Sequence, residues 1–375
     1  MFNSVFYNKL KQQVRSHGGY HNAHLHLDRA YSLESGFEGT DQIDVFKDSY
    51  ISLQKKHALI ASIHNGPVYN EDNLRTNLQA VTEDLISAGT RIADTMVDVS
   101  ADRVGLNALN ILNEHSLKVA DKISIRTAAY TPFGFMDSVP EMWEVFEQGV
   151  KKSGFIGSLP EADDKDYYPD HIGYEEHCVR MLDLARREGK MLHVHTDQRN
   201  EPNEDGTERL IEIIRREGGV PAVENQTMVW VVHMISPSTY EEDRFSRLVE
   251  GLLETGLGVI CCPSAALGMR QLRPVSTPTY NSIPRLLELA ASGVPVRLGS
   301  DNIGDICSPS TTADLTDEIF ILSAALRFYD IHILAKLAAG VELNHDDRDV
   351  ISEHLRRNDE EIQKFLLNSR HRGKS

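Results

Sequence analysis

Short apolar runs and amphipathic windows alternate along most of the chain. The run "NAHLHLD" opens the series, and after a long connection "EDNLRTNLQAVTEDLISAG" sets Leu74, Leu78, Val81, Leu85 and Ile86 at helical spacing before Gly89, a residue suited to a helix stop. The β-like run "TRIADTMVDVS" follows, and the order then repeats: helix "GLNALNILNEHSLKVA", strand "ISIRTAAYTP", helix "PEMWEVFEQGVKKS", strand "FIGSLP", helix "GYEEHCVRMLDLARREG", strand "MLHVHTD". Helix "GTERLIEIIRREGG", strand "MVWVVHM", helix "EEDRFSRLVEGLLETG", strand "GVICCPS", helix "SIPRLLELAASG" and strand "PVRLGSDN" complete it. Eight strands in strict alternation with helices predict an α/β fold, a closed (β/α)8 barrel of the TIM type. Residues 312–339 add one or two helices, and the charged tail from about Asn344 reads as a solvated helix with a frayed end. No Ser/Gly/Pro-rich linker and no internal repeat interrupts the pattern. Residues 1–375 therefore read as one domain without a large accessory sandwich, with a core over about 20–330 and a helical extension over about 331–375.

The connection between strands one and two, about 40 residues, is far longer than the usual two to eight, and such loops are commonly lids or binding elements. Within it "SGFEGTD" sets a phenylalanine between glycines, which suits either a hinged apolar cover or an ordinary packed loop.

Composition narrows the partners. A hydrophobic share of 41% and a charged share of 25% are those of a soluble globular protein. A net charge of −17 repels phosphate backbones and anionic membranes, so nucleic acid and membrane are not expected partners; a small-molecule substrate is, with a homo-oligomer as an open possibility. Four irregularly placed cysteines form neither a disulfide framework nor a C-x-x-C pair, and the N-terminus lacks an export signal, so a cytoplasmic location is expected.

Candidate chemistry lies at the strand ends. His24 and His26 would stand about 200° apart on a helix, but on a strand they share a face with roots about 7 Å apart, so they can grip one ion only as strand residues. Strand five adds His195, strand six His233 and strand eight Asp301. Imidazoles and a carboxylate arriving at one barrel mouth suit one divalent metal ion, with zinc foremost and iron or manganese as alternatives.

The ordered set "HLHLD", "VDVS", "LP", "VHTDQ", "VVH" and "LGSDN" resembles the amidohydrolase superfamily, specifically its cytosine deaminase and N-alkylammelide hydrolase branch, over about residues 20–330. "FIGSLPEADD" has Leu159 and Pro160 where binuclear relatives carry a lysine. The resemblance thus implies a single metal held by His24, His26, His195 and Asp301. It also implies that His233 stabilises charge on the attacked centre and that Asp301 takes the proton from water. His193 competes with His195 as ligand; the family pattern favours His195, in "VHTD".

Departures from that pattern argue against cytosine as substrate. Family deaminases carry a proton-shuttling glutamate where this chain has Gln198, and an amide cannot carry a proton at neutral pH. Asp94 and Met96 replace an Arg-X-His pair on strand two, Thr131 and Pro132 stand near the position of a base-reading glutamine, and Cys307 replaces a tryptophan. Asp94 either receives a cationic substrate group or pairs with Arg126. Arg29 either orients a substrate carbonyl or anion or caps the strand end. Glu161 and Asn302 are further substrate-binding candidates, and Glu161 and Glu201 are candidates for the missing shuttle. The leading expectation is a mononuclear metal-dependent hydrolase of a C–N bond in a small polar, cyclic molecule, with Gln198, His233 and Asp301 in catalytic roles. The alternatives are a metal-retaining binding or regulatory protein and a decarboxylase or hydratase on the same scaffold.

Overall fold

Each of the eight apolar runs forms a strand in the computed structural model, which describes residues 4–33, 59–221, 223, 226–269 and 282–372. The strands are β1 (Tyr20–His26), β2 (Thr90–Asp98), β3 (Ser124–Tyr130), β4 (Phe155–Ser158), β5 (Leu192–Thr196), β6 (Val229–His233), β7 (Gly258–Cys261) and β8 (Val296–Leu298). They pair in chain order, every pair parallel, because each strand is returned to the same end by a helix. Closure onto β1 is made just past β8. The Asp301 N–H donates to His24 O at 2.9 Å, and the Asn22 amide donates to Ser300 Oγ at 2.7 Å while accepting from Ser300 N at 3.1 Å.

Strand alternation sorts the side chains. Leu192 and Val194 of β5 join the core between barrel and helices, which leaves His193 and His195 on the inner face. Leu25 and Leu27 do the same on the β1 side for His24 and His26. The barrel interior is filled by Met96, Tyr130 and Phe155 on one side and by Trp230, Val232 and Ile260 on the other.

A second core lies outside β7, β8 and β1, where the helices Thr316–Leu326 and Ile331–Ala338 meet an N-terminal helix, Val5–Ser16, that the apolar pattern did not predict. That helix has few apolar positions, and it buries Leu10 and Val14, one turn apart, in this cluster. Tertiary packing, more than its own pattern, holds it. The tail forms a long helix, His345–Arg372. Residues 34–58, which include "SGFEGTD", lie outside the described residues. The described end of that connection is a short helix, Ile60–Asn65, and one turn of 3-10 helix, Pro67–Tyr69.

Gly299 shows how tightly the barrel closes. A Cβ there would stand 2.7 Å from His24 O, 2.8 Å from His24 Cβ and 2.9 Å from His24 N, and backbone cannot yield as a side chain does. Gly299→Ala is therefore expected to cost about 1–3 kcal/mol and to weaken metal binding by displacing His24. Thermal unfolding and metal analysis check this; wild-type values for both would mean that β1 can move aside.

Candidate metal centre and its surroundings

Five polar side chains converge at the C-terminal ends of β1, β5, β6 and β8. His24 Nε2 lies 3.2 Å from His195 Nε2 and 3.7 Å from Asp301 Oδ1; His26 Nε2 lies 3.4 Å from Asp301 Oδ1, and His233 Nε2 4.0 Å from Asp301 Oδ2. His233 and Asp301 reach these positions from left-handed backbone, with φ of 78° and 59°. Non-glycine residues seldom hold that conformation unless the surroundings demand it.

The donor set fits one ion. Ligands bound at about 2.0–2.2 Å to a single centre stand roughly 3–3.5 Å from one another. Two overlapping trios that share His24, namely His24, His195 and His233, and His24, His26 and Asp301, each bring their donor atoms within 4.8 Å. His195 Nδ1–H donates to the Ser158 carbonyl at 2.8 Å, which turns the Nε2 lone pair inward. Burial, then the neighbouring imidazoles, holds His24 and His195 well below the usual histidine range, and burial chiefly lowers His233. Burial alone would raise Asp301, but the hydrogen bond from His26 and the electrostatic pull of the His233, His26 and His24 rings outweigh it and hold the carboxyl well below its usual range. Neutral imidazoles and an ionised carboxylate are the states a divalent metal requires.

Arg29 is held by carboxylates beside the cluster. It is 4% exposed, and its Nη1 donates to both oxygens of Asp98 at 3.0 and 3.3 Å while its Nε lies 3.5 Å from Asp305 Oδ2. Its Nη2 lies 2.9 Å from His26 Nδ1. The contact holds the ring with its Nε2 edge towards Asp301 Oδ1, 3.4 Å away. Arg29 thus orients a ring of the cluster.

Asp98 anchors a network that sequence reasoning missed. His64 Nε2 lies 3.0 Å from Asp98 Oδ2 and His64 Nδ1 2.6 Å from Asp102 Oδ2. The Tyr69 hydroxyl is 2.8 Å from Asp98 Oδ2 and 2.9 Å from Asp28 Oδ2, and Asp28 Oδ2 accepts the Asp98 N–H at 2.7 Å. The carboxylate ending "VDVS" was a visible signal; His64 and Tyr69 come from the long connection, where no local pattern marks them.

The other candidates divide. Asp94 lies four residues before Asp98 on the same face of β2, towards the opposite end of the barrel. There it takes the Arg126 guanidinium and His21 Nε2, the latter at 2.8 Å, an interior ion pair away from the cluster. His193 is fully buried against Phe155, with ring centroids 4.6 Å apart, and stays outside the cluster. Asn302 donates to Asp305 Oδ2 and is buried by that contact, so it braces the turn after β8. Gln198 Nε2 donates to Glu161 Oε2 at 3.0 Å, joining the ends of β4 and β5. Glu201 bonds through its backbone N–H to Ser236 Oγ at 3.0 Å. Glu204, not singled out in the sequence, accepts from Arg199 Nε at 2.8 Å, Arg199 N at 2.9 Å and Ser236 Oγ.

No family model matches the chain. An uncharacterized protein of Haemophilus influenzae is 27% identical over 261 residues, which span 68% of this chain and 85% of that protein. A pterin deaminase of Rhizobium rhizogenes is 20% identical over 217 residues, 58% of this chain and 46% of the relative. Among solved structures, 5-methylcytosine deaminase from Klebsiella pneumoniae with phosphonocytosine has a TM-score of 0.70 at 20% identity, covering 85% of this chain and 73% of that one. N-isopropylammelide isopropylaminohydrolase from Burkholderia multivorans has a TM-score of 0.62 at 17% identity, covering 86% and 73%. At these identities the structural likeness is one of fold.

Proposed function

We propose that this chain, whose barrel is shared with the cytosine- and triazine-deaminase-like branch of the amidohydrolase superfamily, is a metal-dependent hydrolase of a C–N bond in a small polar, cyclic molecule. The observation that carries this reading is the convergence of His24, His26, His195, His233 and Asp301 at the strand ends, with spacings that suit one ion. His24, His26, His195 and Asp301 would hold a divalent ion, zinc foremost on so nitrogen-rich a set, which when bound would supply Lewis acidity and hydroxide at neutral pH by lowering the pKa of water from about 16 towards 7.

The residues around it have separate tasks. Asp301, ionised, accepts a proton from the attacking water. His233, neutral and 4.0 Å from Asp301, offers an N–H to the oxygen that gains charge. Arg29 keeps His26 in orientation through Nδ1. Gln198 contributes a hydrogen-bonding amide.

Zinc-, iron- and manganese-loaded protein should release ammonia or an amine from at least one class among pterins, triazines, cyclic amidines, lactams and N-substituted amides, followed by ammonia assay and mass spectrometry. Silence across the panel from protein carrying one ion per chain would sink the reading. Cytosine itself is expected to be a poor substrate. The inner face of β2 presents Asp94, Met96 and Asp98 in place of base-reading groups, and a polar pocket that mismatches its ligand discriminates by ~10⁴ or more. Efficient cytosine deamination would refute this.

A further inference from the structure

We infer that Glu161, held by Gln198, gives the proton to the departing nitrogen, an inference that rests on the hydrolytic reading above. A C–N bond breaks at neutral pH only if the leaving nitrogen is protonated as it goes. His24, His26, His195 and Asp301 would be occupied in holding the ion, and the Gln198 amide has no ionisable proton to give.

Glu161 is placed for the task. It lies three residues past Ser158, whose carbonyl holds His195, and its Oε2 accepts from Gln198, itself three residues past His195. Its Oε1 bonds to no protein group among the described residues, and the side chain is only partly buried. The nearby acid Glu204 is committed, with both oxygens held by Arg199 and Ser236. The charged groups facing Glu161 are Glu204, Arg199 and Asp197, all from the segment after β5. Burial pushes its carboxyl up, Glu204 and Asp197 push it further, and Arg199 and the Gln198 amide pull back; the result lies well above the usual carboxylate range. Such a group holds its proton to higher pH than an exposed carboxyl does.

The step balances. The water oxygen bonds to the carbon, and one water proton passes to Asp301 while the other stays on the new hydroxyl. The C–N bond breaks with its electron pair on nitrogen, which takes the Glu161 proton. The proton on Asp301 then restores the Glu161 carboxyl. One water is consumed, one amine or ammonia is released, and nothing is oxidised or reduced.

The test uses zinc-loaded full-length protein as wild type, Glu161→Gln, Glu161→Asp and Gln198→Ala. Infrared difference spectra of the substrate-free protein should show a protonated-carboxyl band at neutral pH that Glu161→Gln removes. With pterin and N-substituted triazine probes, Glu161→Gln should lower kcat by ~10²–10⁴ with zinc content and KM held, lose least with a weakly basic leaving amine, and abolish the fall in rate at high pH. Glu161→Asp should recover part of the rate. Gln198→Ala should move the high-pH fall upward, because the lost amide bond favoured the carboxylate. A missing band, or an unimpaired Glu161→Gln protein where wild type turns over, overturns this inference alone. A wild type that retains the band yet cleaves no probe fails the hydrolytic reading and takes proton donation with it.

Discussion

His195→Ala protein is expected to lose its metal and, with it, all measurable turnover. The ring faces His24 Nε2 at 3.2 Å and is oriented by the Ser158 carbonyl at 2.8 Å, so the alanine removes a ligand from the centre of the cluster and leaves that carbonyl without its donor. Changes to groups that merely orient ligands cost ~10–100-fold in metal affinity, and loss of a ligand should exceed that. His193→Ala is the matching comparison. His193 stands two residues earlier on the same face of β5, is fully buried and lies outside the cluster. Its removal should lower the melting temperature through the cavity it leaves, yet keep one metal per chain. Metal analysis and thermal unfolding of both variants decide the matter; the reverse pattern would make His193 the ligand.

The second large effect is expected at Asp98. This fully buried carboxylate pairs with Arg29 and His64, and the Tyr69 hydroxyl lies 2.8 Å from it. Asp98→Asn leaves two buried cations short of their anion, a change that typically costs ~3–5 kcal/mol. Metal affinity should fall with it by ~10–100-fold, because Arg29 orients His26 and is itself held by Asp98. Chemical denaturation and metal competition measure the two losses. Wild-type values for both would mean that the network is dispensable.

The same network sets a pH dependence. Burial alone would lower His64, but its hydrogen bonds to Asp102 and Asp98 outweigh that and raise it to about 9. In the unfolded chain it titrates near 6.5. The stabilisation is therefore fully present below about pH 6.5 and is lost as pH rises through the folded value, a decline of about 3–4 kcal/mol. Asp98 moves the other way: burial opposes its charge, but Arg29 and His64 hold it well below the usual carboxylate range, so its contribution is lost on acidification. Unfolding free energy followed from pH 6 to 10 should decline in wild type and decline less in Asp98→Asn. A flat wild-type profile would mean that His64 stays neutral.

Which residues share a strand face follows from a period of two, and this part of the molecule was legible in the one-dimensional pattern. "HLHLD" could place two imidazoles together only as a strand, and "VHTD", "VVH" and "GSDN" supplied partners wherever parallel strands close into a barrel. The alternation of runs and windows dictated that closure, because strands linked by helices all point their C-terminal ends one way.

Tertiary structure decided which partner each polar group meets. The sequence pattern left Arg29 and Asp94 with two readings each, and the structure pairs Arg29 with Asp98, Asp305 and His26, and Asp94 with Arg126 and His21 at the other end of the barrel. Gln198 lies 37 residues from Glu161, and His64 lies 34 from Asp98, distances over which no local period operates. The N-terminal helix follows the same rule, since its few apolar residues are buried by helices more than 300 residues downstream. Periodicity reports the face a side chain takes, whereas the charge or donor opposite it is set by how far each strand is shifted against its neighbours, and that shift exists only once the barrel has closed.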